Sequence, residues 1–425
     1  RPFVLPVFVF VFMTFCLFVF LSLEACQRLC LRFGEPRPQR WGCRGAQHPP
    51  ARAPSTALRA GSGAKRDFFM KTYRNFYHQI YDFENLYRAY RAARRAKRDR
   101  AEVAQFAARV EDHLFQLQAE LRAGTYQPGD YRHFYISEPK RRKISAAPFR
   151  DRVVHHALVN IIEPIFERTF IHDSYACRVG KGTHRALDRC TAFVRRYRFV
   201  LQCDIAKFFP TIDHAILLDI LSRKIVDPDV LALCERIVQS GTGVLDSERE
   251  IRWFPGDDMF APLRPQGLPI GNLTSQFWAN VFLNELDQFI KRVLKCRAYL
   301  RYADDFLLFH DDKATLQGWL AEVRAFAAHR LRLHLHDTKC QVFPTRSGVP
   351  FLGFHHFGSH RRLKRPVVVR FRRRLRALHQ EYAAGHVSLE QVGTSVQSWC
   401  AHAAHGDTYR LRNQILRQTI IPAKR

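Results

Sequence analysis

The sequence predicts an α+β fold, in which short strands lie between helices. Apolar residues recur with helical spacing over 74–98, 100–122, 151–168 and 313–330. A short run at 199–205, FVLQCDI, has too few polar residues to alternate and predicts a buried strand. A longer stretch at 296–312, CRAYLRYADDFLLFHDD, has two apolar runs that meet at two acids, which predicts a β-hairpin with Asp304 and Asp305 at its bend.

Local signals predict the other elements. YRHFYIS (131–137) and KISAA (143–147) are typical of strands on either side of the basic turn EPKRRK. Asp213 has the position of a helix N-cap, and a long helix is expected from Gly271 and Asn272 to about residue 294. Short strands are expected near 333–343 and 349–354, and the chain beyond Pro366 is predicted to be helical and very basic.

The charge of the chain indicates the class of its partner. Lys and Arg number 68 against 39 Asp and Glu, which gives a formal net charge of +29 at pH 7. So large a positive charge favours a polyanion as partner, and nucleic acid is the commonest one. Hydrophobic residues at 47% and aromatic residues at 13% argue against a chain that is disordered throughout.

The first 69 residues differ in composition from the rest. Residues 3–23 are long and apolar enough to span a bilayer, and a stretch rich in Arg, Pro, Gly and Ala follows. One interpretation is a membrane anchor with a disordered linker; the other is a reading frame extended upstream of a true start at Met70. Amphipathic patterning begins just after Met70, so the second interpretation is favoured, no membrane partner is expected, and 1–69 are excluded from fold reasoning.

The cysteines carry information about the compartment. Eleven are scattered along the chain, and no CxxC pair occurs. This pattern is typical of neither a zinc site nor a disulfide framework, so a reducing, cytoplasmic location is expected.

The two adjacent acids need an explanation. Asp304 and Asp305 repel each other, and their apolar flanks suggest burial, which makes ionisation of both costly. They could lie in an ordinary exposed turn, or they could face divalent cations. Asp204, which ends the apolar strand at 199–205, would supply a further anchor. Carboxylates suit Mg²⁺, and a pair of Mg²⁺ ions can drive phosphoryl transfer, so the three acids predict a nucleotidyl transferase.

These stretches resemble the motifs of reverse transcriptases. YADD (302–305) is similar to motif C, DIAKFF (204–209) to motif A, LPIGNLTSQFWANVFLNELD (268–287) to motif B, LHLHDTK (333–339) to motif D and FLGF (351–354) to the primer-grip motif E. Two further stretches, 135–158 and 173–187, resemble the fingers motifs of bacterial retron- and intron-type enzymes. The resemblance implies a right-hand polymerase fold with an antiparallel palm sheet, divided into fingers with N-terminal helices (70–198), palm (199–357) and a basic helical thumb (358–425).

The resemblance also implies roles for single residues. It makes Asp204, Asp304, Asp305 and Lys339 catalytic, and it makes Ile205 a metal ligand beside the three aspartates, for two Mg²⁺ ions with Mn²⁺ as a substitute. The incoming dNTP would meet Lys140, Arg142, Lys143, Phe209, Ile270 and Gly271. Phe209 would exclude a 2′-hydroxyl, and which of the three cations holds the triphosphate is left open. Template and primer would meet Arg178, Lys181, Ser275, Gln276, Phe351, Leu352, Gly353, Arg372 and Arg373.

Motif B narrows the resemblance. Most reverse transcriptases have the pattern QGxxxSP, whereas this chain has IGNLTSQ at 270–276, which resembles the enzymes of diversity-generating retroelements. SWCAHAAHGDTYRLR (398–412) resembles the same group. That resemblance implies a template RNA copied into cDNA with errors at adenines, an RNA–DNA hybrid as intermediate and a small basic accessory protein. A retron, intron-maturase or defence-type reverse transcriptase is the alternative, and a catalytically silent RNA-binding protein on the same scaffold is a second one.

Overall fold

The computed structural model describes residues 71–137 and 141–418, and the chain from Tyr73 onward forms one compact unit. The expectations for 1–69 and for Lys140 therefore lie outside the described residues. Within the described ranges, no helix is both long and apolar enough to cross a membrane.

Four helices come first, where the periodicity predicts two. They are α1 (Tyr77–Tyr81), α2 (Phe83–Ala93), α3 (Ala101–Ala108) and α4 (Val110–Arg122). The first break occurs because the Asp82 side chain accepts hydrogen bonds from the amides of Glu84 and Asn85 and so caps a new helix. The second occurs at Arg109, whose φ of −134° is not helical. The prediction of two unbroken helices is wrong at these two residues.

A two-stranded hairpin and two long helices follow. The hairpin pairs β1 (Arg132–Ile136) with β2 (Arg142–Ala146), as predicted. Helix α5 (Phe149–Glu167) lies where a helix is expected and packs against α2, to which the Asn85 amide ties it through the Ala157 carbonyl at 3.0 Å. Helix α6 (Thr183–Arg196) was not predicted, although its buried residues Ala186, Leu187, Cys190 and Val194 have helical spacing.

A four-stranded antiparallel sheet forms the centre of the unit. Its strands are β3 (Phe199–Asp204), β4 (Ala298–Tyr302), β5 (Asp305–His310) and β6 (Gln341–Pro344), in the order β4-β5-β3-β6. Alternate side chains fill two cores: Leu201, Tyr299 and Phe306 lie in the larger one, and Val200, Leu300 and Leu307 in the one next to α6. Burial on both faces explains why these strands are apolar throughout.

The helices around this sheet come from the segments between its strands. They are α7 (Phe208–Thr211), α8 (His214–Ser222), α9 (Pro228–Gln239), α10 (Leu273–Gln288) and α11 (Lys313–Leu331). Asp213 caps α8 by accepting from the Ile216 amide at 3.1 Å, as predicted. Helix α10 continues as one π-helical turn, Phe289–Val293, so the long helix expected there is present with a change of pitch. Helix α9 was not predicted.

A small sheet and three helices complete the described chain. The small sheet joins β7 (Val349–Phe351), β8 (Phe354–His356) and β9 (Arg361–Leu363), whereas the strand expected over 333–343 is limited to β6. The last helices are α12 (Arg365–Ala383), α13 (Leu389–Ala403) and α14 (Tyr409–Arg417), and we call them the C-terminal bundle. The bundle has its own core, in which the rings of Phe371 and Trp399 stack with centroids 3.9 Å apart.

Candidate active site

Three carboxylates meet at one end of the central sheet. Asp204 is the last residue of β3, and its Cα is the register partner of Asp305, the first residue of β5. Asp305 also pairs with Tyr302 at the end of β4, so Ala303 and Asp304 form the bend between the two strands. Ala303 has a φ of +55°, a backbone conformation that costs free energy in a residue other than glycine and is concentrated at functional sites.

The environment of these acids disfavours their charge. Burial raises the pKa of Asp305 to about 7, and repulsion from Asp304 and Asp204 adds to the effect. Burial also raises the pKa of Asp304, with a further contribution from Asp204. All three aspartates are half-buried, so they lie below the surface rather than in the open turn that a bend suggests. A cation beside them would relieve both effects.

Lys339 lies next to these acids. Its ammonium group forms an ion pair with the Asp204 carboxylate. The backbone brings them together, because the His336 amide donates to the Asp204 carbonyl at 2.8 Å and Ile205 forms a bridge with Leu335. The segment before β6 thus runs along the end of β3, and the expected grouping of Lys339 with the aspartates is present.

The side chains at this site supply the type of donor atom that a hard divalent cation prefers, without forming a ready-made set of ligands. Three carboxylates that destabilise one another offer the oxygen donors that Mg²⁺ prefers. Ile205 is 2% exposed and has an apolar side chain, so only its main-chain oxygen could serve as a ligand. Among the residues that the structure describes, no cluster of three or more His, Cys, Asp or Glu side chains has the geometry of a metal site.

A buried ion pair supports the bend, and the sequence analysis did not predict it. Arg301 on β4 and Asp287 on α10 are both fully buried, with the closest nitrogen and oxygen 2.7 Å apart. The Tyr299 hydroxyl donates to the same carboxylate at 2.6 Å. Arg301 also donates to the Ala303 carbonyl at 3.2 Å, so this guanidinium holds the bend of the hairpin directly. The sequence did offer one indication of this ion pair, since Arg301 is a single arginine in an otherwise apolar strand.

Of the two described candidates for the triphosphate cation, Arg142 and Lys143, Arg142 is the one whose charge acts on the carboxylates. Its positive charge lowers the pKa of Asp304, against the larger effect of burial, and its side chain is exposed. Lys143 points elsewhere, since its ammonium donates to the Val244 carbonyl at 2.8 Å. Alternation along β2 separates the two side chains. The structure therefore favours Arg142 over Lys143 as the residue that reaches the site.

The loop before α10 is hydrogen-bonded to β2. The Ser145 amide donates to the Ile270 carbonyl at 2.9 Å, the Asn272 side-chain amide donates to the Ser145 carbonyl at 3.0 Å, and the Ala147 amide donates to Asn272 Oδ1 at 3.1 Å. Gly271 has a φ of +123°, and a Cβ there would lie 2.9 Å from Ile144 Cγ2. We expected glycine at this position for close approach to a base or template; the neighbour that requires it in the structure is Ile144.

The two phenylalanines after Asp204 have different environments. Phe208 is 2% exposed and belongs to the main core, whereas Phe209 is half-buried and packs against the edge of that core. Their ring centroids are 5.4 Å apart in an edge-to-face arrangement. Lys207, which starts this helical turn, has a φ of +46°, so the backbone turns sharply between Asp204 and Phe209. This division of roles agrees with Phe208 as the core residue.

Two residues expected to contact template are internal. The Arg178 side chain is 5% exposed and its guanidinium is bound by the Glu167 carboxylate at 2.6 Å and by the Ile171 and Ser174 carbonyls. Its partners in the structure are all within the protein, so a phosphate contact by Arg178 stays a prediction that these internal bonds do not favour. Ser275 is 3% exposed and faces the core, whereas Gln276 beside it is half-buried. Lys181 is at the surface and donates to the His172 carbonyl at 2.7 Å.

The expected primer-grip residues form the tight connection between β7 and β8. Phe351 is 2% exposed and packs in the core beside α6, so its ring does not reach the surface. Leu352 and Gly353 make the turn, with φ values of +44° and +86°. The Lys364 amide donates to the Gly353 carbonyl at 2.9 Å, and the positive charge of Lys364 offsets part of the rise that burial and the neighbouring aspartates cause in the pKa of Asp305. The sequence analysis missed Lys364, which lies near the carboxylates at the start of α12.

The basic helix α12 turns only part of its arginines outward. Phe371 and Leu375 are buried in the C-terminal bundle, and they fix which face is internal. Arg372, Arg373 and Arg376 are exposed, while Arg370 and Arg374 are half-buried. Only the exposed part of this run could therefore face a duplex.

Seven cysteines lie in the part of the chain that the structure describes, and all are free thiols: Cys177, Cys190, Cys203, Cys234, Cys296, Cys340 and Cys400.

Two curated proteins and one solved structure illustrate what this chain is similar to. Protein YkfC of Escherichia coli is 28% identical over 288 residues, which cover 58% of this chain and 71% of that protein. The group II intron-encoded protein LtrA of Lactococcus lactis is 23% identical over 309 residues, 57% of this chain and 49% of its own length. The chain thus spans about half the length of LtrA. The apo telomerase of Candida tropicalis aligns with a TM-score of 0.40 at 11% identity, over 64% of this chain and 57% of that one.

A family profile covers the region that contains the carboxylates. The profile described as reverse transcriptase (RNA-dependent DNA polymerase) matches residues 137–356, slightly more than half of the chain. The matched region begins at the β1–β2 hairpin, contains the central sheet and ends with β8. The chain belongs to the reverse transcriptase family, the RNA-directed DNA polymerases.

Proposed function

We propose that this chain copies a template RNA into cDNA by two-metal nucleotidyl transfer and that it works in a diversity-generating retroelement. The observation that carries the polymerase assignment is the meeting of Asp204, Asp304 and Asp305 at one end of the central sheet. In this proposal, 70–198 are fingers, 199–357 the palm and 358–425 the thumb.

Each side chain at the site has a part in that chemistry. Asp204 and Asp304 would hold Mg²⁺, with Asp305 and the Ile205 main chain beside them. Two bound Mg²⁺ ions supply activation of the primer hydroxyl and stabilisation of the leaving oxygen. Lys339, already paired with Asp204, is placed to give a proton to the leaving pyrophosphate. Arg142 supplies positive charge for the triphosphate.

Phe209 and Ile270 would select the nucleotide. The half-buried ring of Phe209 would pack under the sugar of the incoming dNTP and exclude a 2′-hydroxyl. Ile270 replaces the glutamine that most relatives have, so it removes one possible hydrogen bond near the new base pair. Template and primer would meet Lys181, Gln276, Leu352, Gly353, Arg372 and Arg373.

Two lines of reasoning bear on the biological setting. IGNLTSQ at 270–276 supports a diversity-generating retroelement, with errors at template adenines and a small basic accessory protein as partner. The similarity to LtrA and to a nuclear intron maturase of Arabidopsis thaliana favours an intron-type reverse transcriptase as the second candidate. The DNA beside the gene separates the two: a near-duplicate repeat that differs at adenines supports the first candidate, and a flanking intron the second.

The polymerase assignment is tested by changing one carboxylate. We expect the purified protein to extend a DNA primer on an RNA template with Mg²⁺, and Asp304→Asn to lower the rate about 100-fold or more, because it removes a charge needed at the metal. Asp99→Asn is the matched control, since Asp99 is exposed and remote in sequence from the site. Extension by Asp304→Asn at the rate of the control would refute the assignment.

A further inference from the structure

The turn between α13 and α14 contacts the small sheet β7–β9 and helix α6. We call residues 404–408, AHGDT, the thumb turn. The Asp407 amide donates to the Arg361 carbonyl of β9 at 2.8 Å. The ring of His405 stacks on His184 of α6, with centroids 3.5 Å apart. The Thr408 hydroxyl donates to the Ala403 carbonyl at 2.6 Å and closes the turn on itself.

Gly406 is the point of closest approach. A Cβ built there would lie 2.9 Å from Phe354 Cε1 and 3.1 Å from the Arg361 carbonyl oxygen. Neither neighbour can move cheaply, because Phe354 is fully buried in β8 and the Arg361 carbonyl is part of β9. Any side chain at 406 therefore has to push the thumb turn away from the small sheet.

Further contacts join the same three parts of the chain. The Arg361 guanidinium donates to the Asp188 carboxylate of α6 at 2.6 Å. The ring of His402, on the last turn of α13, lies 5.1 Å from the ring of Phe354. A Cβ at Gly353 would lie 3.6 Å from His402 Nε2, so α13 also reaches the connection between β7 and β8.

We propose that Gly406 is a positioning residue that sets the distance between the C-terminal bundle and the β7–β8 turn, and thereby the grip on the primer–template duplex. The bundle carries the exposed arginines of α12, and the small sheet carries Leu352 and Gly353 and leads into Lys364 near Asp305. The contacts of the thumb turn therefore fix the exposed arginines of α12 relative to the β7–β8 turn and Lys364. This inference rests on the proposed polymerase function.

The test compares two Gly→Ala changes in the same bundle. Gly406→Ala should raise the Kd for a labelled RNA–DNA primer–template about tenfold, because misplaced contacts lose affinity steeply with distance. The same variant should keep kcat for a single nucleotide addition within about twofold, since the carboxylates are not displaced. Gly393→Ala is the control: it lies on α13, a Cβ there meets nothing within 4 Å, and alanine favours the helix.

A second pair of variants covers the case in which Gly406→Ala fails to fold. His405→Ala removes the ring stacked on His184 without adding volume. It should also raise Kd, by about threefold, which corresponds to the free energy that one aromatic pair contributes. His386→Ala, at an exposed site between α12 and α13, should leave Kd unchanged.

The outcomes separate this inference from the proposed function. If the unmodified chain extends a primer and Gly406→Ala and His405→Ala bind duplex like their controls, the positioning role is refuted and the polymerase stands. A fall in kcat at unchanged Kd would also refute it. If the unmodified chain binds duplex without extending it, the polymerase proposal fails, while the binding comparison still decides the role of Gly406.

Discussion

Loss of the buried ion pair beneath the YADD bend should be one of the most damaging single changes in this chain. Asp287 neutralises Arg301, and both side chains are fully buried. Asp287→Ala leaves the guanidinium buried with the Asn280 side chain and the Ala303 carbonyl as remaining acceptors. An uncompensated buried charge of this kind costs about 3–5 kcal/mol. With a urea m-value of about 3 kcal/mol/M, the unfolding midpoint should fall by about 1–1.7 M.

The assay is urea unfolding followed by circular dichroism, with two comparisons. Asp112→Ala removes an exposed partner of Arg109 and should cost about 0.2–1 kcal/mol, as exposed pairs do. The double variant Asp287→Leu with Arg301→Met should recover most of the stability, because an apolar pair of similar volume is often as stable as a buried ion pair. A midpoint for Asp287→Ala that matches the Asp112→Ala control would refute the reasoning, and so would a double variant less stable than the single one.

Four other predictions follow from the site, the bundle and the core. Phe209→Ala should admit ribonucleotides, measured as rNTP against dNTP incorporation on one template; an unchanged ratio would make Phe209 a core residue only. Ile270→Gln should lower the error frequency in sequenced cDNA, since a hydrogen bond regained in a buried site is worth about 1–3 kcal/mol of discrimination; errors unaffected by the change would discard that mechanism. Replacing Arg372 and Arg376 together by Ala should reduce the slope of log K for duplex binding against log salt by about two, because each arginine that binds a phosphate adds about one to that slope; an unchanged slope would mean that this face of α12 does not contact the duplex. Burial lowers the pKa of His155 to about 3, so the unfolded chain takes up a proton below its ordinary pKa of 6.5 and the folded chain does not, and stability should fall as pH drops from 6.5 towards 3; His155→Phe should flatten that fall, and a variant with the same pH profile would contradict the assignment.

The end of the sheet that carries the aspartates could be predicted from sequence because its signals are local. An acid that closes an apolar strand and two acids between apolar runs predict strand ends, and β3 and β5 indeed bring Asp204 and Asp305 opposite each other. The cap at Asp213 is likewise a matter of a few neighbouring residues. Lys339 was grouped with the aspartates by resemblance, and its ion pair with Asp204 agrees with that grouping.

Partners remote in sequence could not be predicted in the same way. Charge and spacing do not tell which cations bind an acid inside the protein, so Arg178 was expected to contact the template, whereas Glu167 binds it internally in the structure. The pairing of Arg301 with Asp287 and the approach of Lys364 to Asp305 depend on how β4, α10 and the small sheet pack. The helix break at Asp82 is caused by a local cap, and a search for apolar periodicity over a long window does not detect such a cap.

The hydrogen bonds between β2 and the loop before α10 have a mechanical consequence. Ser145 is hydrogen-bonded to Ile270 and to Asn272, and Ile144 lies so close to Gly271 that there is no room for a Cβ there. The hairpin that carries Arg142 and the loop that carries Ile270 are therefore tied together by hydrogen bonds, and we expect them to move together. A closing movement of the hairpin over a bound nucleotide would therefore also move Ile270 towards the base pair. Binding of the triphosphate and contact with the new base pair would then occur in one step rather than in two.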